Sequence, residues 1–179
     1  CFVIVGLSRY AQSAGDREAL YFAHAVYRTV LDRLAAQTYR TEPYPTPEGY
    51  KAHGIPMIMV NTSQELAGAM AELGHEASAE VDRRADGYMR EIMDHFVAGD
   101  LVHETIGTDN RIIPDTLLGR YINPGHTLED MWFIIHQALP KGDQETIDRA
   151  AAIALRTLEV RWDDEFGGLF LFADQGGGV

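Results

Sequence analysis

Cysteine is almost missing from this chain: Cys1 stands alone among 179 residues. No internal disulfide can form, which excludes a disulfide-stapled scaffold and fits a reducing, cytoplasmic compartment. Basic residues are also scarce. Fifteen Lys and Arg face 27 Asp and Glu, a formal net charge of −12, so neither a nucleic-acid backbone nor an anionic membrane is expected as the main partner. No apolar run approaches membrane-spanning length, and no basic segment followed by an apolar stretch marks a signal peptide. Metal-ligand spacing is missing too. His24, His53, His75, His95, His103 and His136 form no His-x-x-x-His pair and read as structural, so no metal is expected. Gly176-Gly177-Gly178 lacks the lysine and following helix of a phosphate-binding loop and reads as a tail or loop. What remains is 46% hydrophobic, a globular composition at a length that can bury one substantial core.

Three short turns, Ala14-Gly15-Asp16, Leu73-Gly74-His75 and Lys141-Gly142-Asp143, punctuate helical patterns. In each, glycine suits the position after a helix end, and Asp16 and Asp143 suit the N-cap of the next helix. The patterns predict six helices, over 1–13, 17–37, 56–72, 77–98, 124–139 and 144–161. The remaining connections are long. One holds Pro43, Pro45, Pro47 and Pro56; another carries Thr105 to Ile113, with a hairpin expected around Asp109-Asn110. Short turns alternating with long loops point to an all-α fold of α-hairpin repeats, with binding residues on the long-loop face. The helix after Glu76 is rich in charge and reads as solvated, packing through Val81, Tyr88, Ile92 and Phe96. The helices starting near Pro56 and Pro124 are poor in charge and read as buried.

The most informative stretch runs from Gly119 to Phe133. Asn123 is a good N-cap and Pro124 fits the first helical position. His126 then falls in the first turn, where the helix dipole favours a neutral imidazole. Glu129, three residues on, shares its face and can orient the ring or oppose that depression. Trp132 and Phe133 continue near the same side as an aromatic wall. Met57 and Asn61, one turn apart, share a face of their own helix.

The segment Asn123-Pro124-Gly125-His126-Thr127-Leu128-Glu129, with Trp132 three residues later, closely resembles the N-acylglucosamine 2-epimerase family. Two further stretches agree in order and spacing: Arg161 to Asp174, with its Trp-Asp, Gly-Gly and aromatic run, and Ile55-Pro56-Met57-Ile58-Met59-Val60-Asn61. The resemblance implies part of an (α/α)6 toroid. It also implies that residues 1–179 are a single partial domain, the middle of a longer chain whose first and last helices lie elsewhere. Isolated, such a piece is expected to self-associate. The implied chemistry is interconversion of sugars at C2 by proton abstraction, most directly N-acylglucosamine with N-acylmannosamine. It needs no cofactor. His126 would be one acid/base and Glu129 its polar partner, with Met57, Asn61 and Trp132 lining the sugar site. The partner is a small sugar, and a homodimer is compatible. The family's second histidine and its arginine have no matched position here, so this stretch alone is expected to be inactive. Three alternatives stay open. One is a mannose- or cellobiose-type epimerase or isomerase of the same superfamily. Another is a non-catalytic α-hairpin binding protein. The third is an (α/α)6 glycoside hydrolase, which would need a second carboxylate opposite Glu129.

Overall fold

A computed structural model describes residues 1–40 and 45–174. Pro43 and the Gly176-Gly177-Gly178 run lie outside the described residues. The chain forms two compact units, Cys1–Pro45 with Ile58–Gly87, and Thr46–Met57 with Tyr88–Val179.

The first unit is helical. Helix α1 (Phe2–Ala14) and helix α2 (Arg17–Ala35) form a hairpin. Gly15 ends α1 with φ of 67°, a conformation that costs a side chain energy and glycine little. Asp16 then caps α2, accepting from the amides of Glu18 and Ala19. The unit also holds most of α3 (Gly54–Glu72) and the start of α4 (Ser78–Glu91). Its core is built from Ile4, Leu20, Tyr27, Met59, Leu66 and Met70, all essentially fully buried. The hydroxyls of Tyr27 and Ser63 share a hydrogen bond of 2.7 Å inside that core, so neither polar atom is left bare.

The second unit combines two capped helices with short antiparallel ladders. Helix α6 (Pro124–Ala138) and helix α7 (Gln144–Arg161) pack as a hairpin. Between them, Gly142 takes the left-handed conformation and Asp143 caps α7, as its sequence position predicts. Strand β1 (Tyr50–Ala52) pairs with β4 (Thr105–Gly107), β2 (Val97–Ala98) with β3 (Leu101–Val102), and β5 (Tyr121–Ile122) with β6 (Ala173–Asp174). A single helical turn, α5 (Leu117–Arg120), leads into β5.

Two expectations need correction. The helix predicted over 77–98 is regular only to Glu91. It widens into a π turn over Ile92–Phe96, and Val97–Ala98 then extends to pair with Leu101–Val102 around Gly99, whose φ is 61°. The apolar spacing continued past the helix end because Ile92, Phe96 and Val97 are core residues in either geometry. The loop from Thr105 to Ile113 does turn at Asp109-Asn110, with Asn110 at φ 68° and the Gly107 amide donating to the Arg111 carbonyl. Its strand, however, pairs with β1, about fifty residues upstream, and not with its own return segment. Local pattern cannot reveal a partner so remote in sequence.

Candidate active site

Helix α6 starts as its residues dictate. The Asn123 side chain accepts from the His126 amide at 3.1 Å, and Pro124 occupies the first turn, where its missing N–H costs nothing. This places the His126 ring at the rim, with its side chain 42% exposed. The residues ahead of the cap are held by the chain's second motif. Tyr121 pairs with Asp174 and Ile122 with Ala173 in the β5–β6 ladder, and Arg120 Nε reaches an Asp174 carboxylate oxygen at 3.1 Å. Gly119 lies where the chain passes close to itself: a Cβ there would stand 1.8 Å from the Ile113 carbonyl oxygen. Its own carbonyl bonds Nδ1 of the buried His103 at 3.0 Å, which gives that histidine the structural role expected for it.

Nδ1 of His126 lies 3.1 Å from both carboxylate oxygens of Glu104. Glu104 sits between β3 and β4. It is fixed by its backbone, whose N–H donates to the Tyr121 carbonyl and whose C=O accepts from the His53 amide at 2.9 Å. The β1–β4 ladder, with Ala52 opposite Thr105, aligns His53 with Glu104. The His53 ring is fully buried. Its Nε2 lies 2.9 Å from Asp130 Oδ2 and its Nδ1 3.6 Å from Glu104 Oε1, an ion-pair contact too long for a hydrogen bond. Asp130 is also fully buried, on α6. Four side chains therefore run in sequence from the interior to the rim: Asp130, His53, Glu104 and His126.

The electrostatics follow from this order. Burial would raise the Glu104 carboxyl, but hydrogen bonding and charge from His126 and His53 bring it down to about 2. Burial would lower the His53 ring, but Asp130 and Glu104 outweigh it and hold the ring up at about 9. His126 is raised, first by its hydrogen bond to Glu104, with burial and the His53 charge opposing. The Tyr121 phenol is pushed up to about 12 by burial and by Glu104. The neutral-favouring field expected at the helix start is thus overridden: a carboxylate in contact with the ring acts more strongly than the partial charge of a helix end. With Glu104 ionised, Nδ1 of a neutral His126 carries the proton and Nε2 keeps its lone pair.

Ligating atoms of His53, Glu104 and His126 all lie within 4.8 Å of one another. An ion would need a neutral His53 ring, whereas two carboxylates favour its protonated form, and Glu104 already accepts from His126. The donor set therefore suits a chain of acids and bases better than a metal.

The other residues singled out in the sequence are distributed unequally. Glu129 is exposed and only weakly raises the His126 ring through its charge; the carboxylate in contact is Glu104. Trp132 is half exposed, its ring centroid 4.9 Å from that of Phe133 and 5.2 Å from that of His136. Phe133 is a core residue and not part of an aromatic wall. Met57 is buried in the first turn of α3, its amide donating to the His53 carbonyl. Asn61 belongs to the other unit, where its side-chain oxygen accepts from Gln64 at 3.3 Å. Sequence reasoning missed His53, Glu104 and Asp130. A signal existed for Asp130, since the scarcity of charge on α6 that favours Glu129 applies equally to its neighbour. None existed for His53 and Glu104, which meet His126 only through strand pairing.

The family model for N-acylglucosamine 2-epimerase matches residues 1–179. The chain is 34% identical over 190 residues to N-acylglucosamine 2-epimerase of Rattus norvegicus, covering 97% of this chain and 41% of that protein. It is 31% identical to the Bos taurus enzyme of the same name, covering 99% of this chain and 42% of that protein. The chain thus spans about two fifths of these relatives. Among solved structures, a D-mannose isomerase superposes with a TM-score of 0.74 at 18% identity, covering 99% of this chain and 46% of that one. A sugar epimerase from a ruminal bacterium gives 0.70, also at 18% identity, covering 97% and 46%. These two share the (α/α)6-type helical fold that the family resemblance implies. Among the described residues, no helix is long and apolar enough to cross a membrane.

Proposed function

The chain belongs to the N-acylglucosamine 2-epimerase family, and on that premise we propose that the intact protein is a sugar 2-epimerase acting on N-acylglucosamine and N-acylmannosamine. Removing the C2 proton, which is α to the aldehyde of the ring-opened sugar, needs a base with a pKa near the working pH. His126 supplies it. Its ring is partly open to solvent on one side and anchored on the other to a nearly buried carboxylate. That anchoring carries the reading: a proton held at Nδ1 by Glu104 leaves the Nε2 lone pair available to the carbon acid, and the Glu104 charge stabilises the imidazolium that forms.

Proton return to the opposite face of C2 requires a second acid, assigned by resemblance to a histidine beyond this stretch. Glu129 serves as a polar sugar contact near His126. Met57 and Trp132 contribute apolar surface to the sugar, and Asn61 is carried as a sugar contact on the family motif alone. The single cysteine supports a cytoplasmic setting, and a homodimer is compatible with the reading. The chemistry asks for no cofactor.

Proton NMR of the intact gene product with N-acetylmannosamine in D2O tests the proposal. Deuterium incorporation at C2 with conversion to N-acetylglucosamine, lost in His126→Ala, is the expected result. Absence of exchange at C2 in the unsubstituted protein would overturn the N-acyl assignment.

A further inference from the structure

Two buried carboxylates flank one buried ring, and the sugar chemistry makes no direct use of that ring. We propose that His53 is a positioning residue: a buried imidazolium clamped between Asp130 and Glu104 that holds in place the carboxylate on which the His126 ring hangs. A neutral imidazole has one N–H. If it faced Asp130 from Nε2, a bare lone pair on Nδ1 would face the Glu104 carboxylate across 3.6 Å. If it faced Glu104, the lone pair would meet Asp130 at 2.9 Å. Either arrangement sets electron pair against anion where little water can intervene, a costly placement. The doubly protonated ring donates to Asp130 from Nε2 and turns a positive N–H, not a lone pair, toward the Glu104 carboxylate.

The surroundings agree. The His53 ring packs against Phe96, with ring centroids 5.6 Å apart. The charged or titratable groups facing it are Asp130 from α6 and Glu104 from the β3–β4 connection. Across Glu104 stand His126 and the Tyr121 phenol. Lys51 Nζ lies 5.2 Å from the Phe96 ring centroid and pairs with Glu91. The raised affinity of the His53 ring for its second proton is consistent with the clamp. The amide of His53 also donates to the carbonyl of Glu104, so the two residues are joined through their backbones as well as facing each other through ring and carboxylate.

The clamp has a consequence that a structural histidine would not have. Through Glu104, the His53 cation opposes proton uptake by His126, whereas the Glu104 anion favours it. Neutralising Asp130 should release the His53 proton and raise the apparent pKa of His126. Neutralising Glu104 should lower it.

The experiment uses the intact protein labelled with 15N-histidine. At pH 7.5 one buried histidine should show both ring nitrogens protonated, assigned by loss of the signal in His53→Gln. In Asp130→Asn, which keeps shape and a hydrogen-bond acceptor, that ring should fall to one protonated nitrogen. The acidic limb of kcat/KM for C2 exchange should then move up by roughly one pH unit, while Glu104→Gln moves it down. A neutral His53 ring in the unsubstituted protein would overturn the proposal, as would Asp130→Asn lowering kcat with the limb unmoved. If His53→Gln does not fold, the Asp130→Asn shift makes the assignment. The pH-rate arm rests on the sugar-epimerase reading. The nitrogen spectra do not, so absence of C2 exchange sinks that reading and leaves the clamp to be judged by the spectra.

Discussion

The His126 ring hangs from Glu104, with Nδ1 3.1 Å from each carboxylate oxygen, although the two residues are 22 positions apart. Glu129, only three positions away, is exposed to solvent. A buried anion in contact orients a ring more firmly than a solvated one a helical turn away, because water screens the second and not the first. Glu104→Gln should therefore lower kcat/KM by about 100-fold or more, the scale seen when a carboxylate that sets a catalytic tautomer is neutralised. Glu129→Gln should cost less through the ring and act mainly on KM. Steady-state kinetics of both variants in the intact protein check this; equal losses in kcat would refute the ranking.

Folding stability should depend on pH through the same residues. His53 binds its proton more tightly folded, at about 9, than at its ordinary 6.5. Its contribution is fully present below about 6.5 and is lost as pH rises through 9. Glu104 is depressed to about 2 from an ordinary 4.5, so its contribution is present above 4.5 and lost as pH falls through 2. Urea unfolding should show greatest stability between these windows and a decline from pH 7 to 9 that Asp130→Asn flattens. A midpoint rising over that range would contradict the assignment.

Gly119 tests the approach of the α5 turn to the chain. A methyl group there would overlap the Ile113 carbonyl oxygen, and backbone cannot yield as a flexible side chain can. Gly119→Ala should destabilise the fold by about 2 kcal/mol or more, and activity should fall with it because this turn leads through β5 to the α6 cap. A thermal melt within a degree of the unsubstituted protein would count against this geometry.

Asn123 links stability to chemistry more locally. Its side chain accepts from the His126 amide itself. Asn123→Ala should cost about 1 kcal/mol, whereas Asn123→Asp should retain most of that stability. Chemical denaturation of the two variants, side by side, separates loss of the cap from a wider disruption.

Much of this was open to reading in one dimension. Gly15, Asp16, Gly142, Asp143, Asn123 and Pro124 act within a few residues of themselves, so their turns and caps depend on local backbone geometry that the neighbouring sequence already contains. The helices followed for the same reason, apart from the π turn at Ile92–Phe96, where core-facing spacing masks the change of pitch. The histidine at the start of α6 was likewise marked by its cap and by a motif. What the histidine leans on was not. His53 reaches Glu104 because β1 pairs with β4, and His53 reaches Asp130 because its buried ring meets an inward face of α6.

The sequence by itself determined the helices, their caps, the family and the place of His126 in a first helical turn, all consequences of short-range geometry and of residues within a motif. Only the tertiary structure decided the orientation of that histidine and the upward direction in which its proton affinity moves. A pKa answers to whichever groups lie within a few ångströms, and here those groups, Asp130, His53 and Glu104, are gathered by strand pairing and burial from three separate parts of the chain.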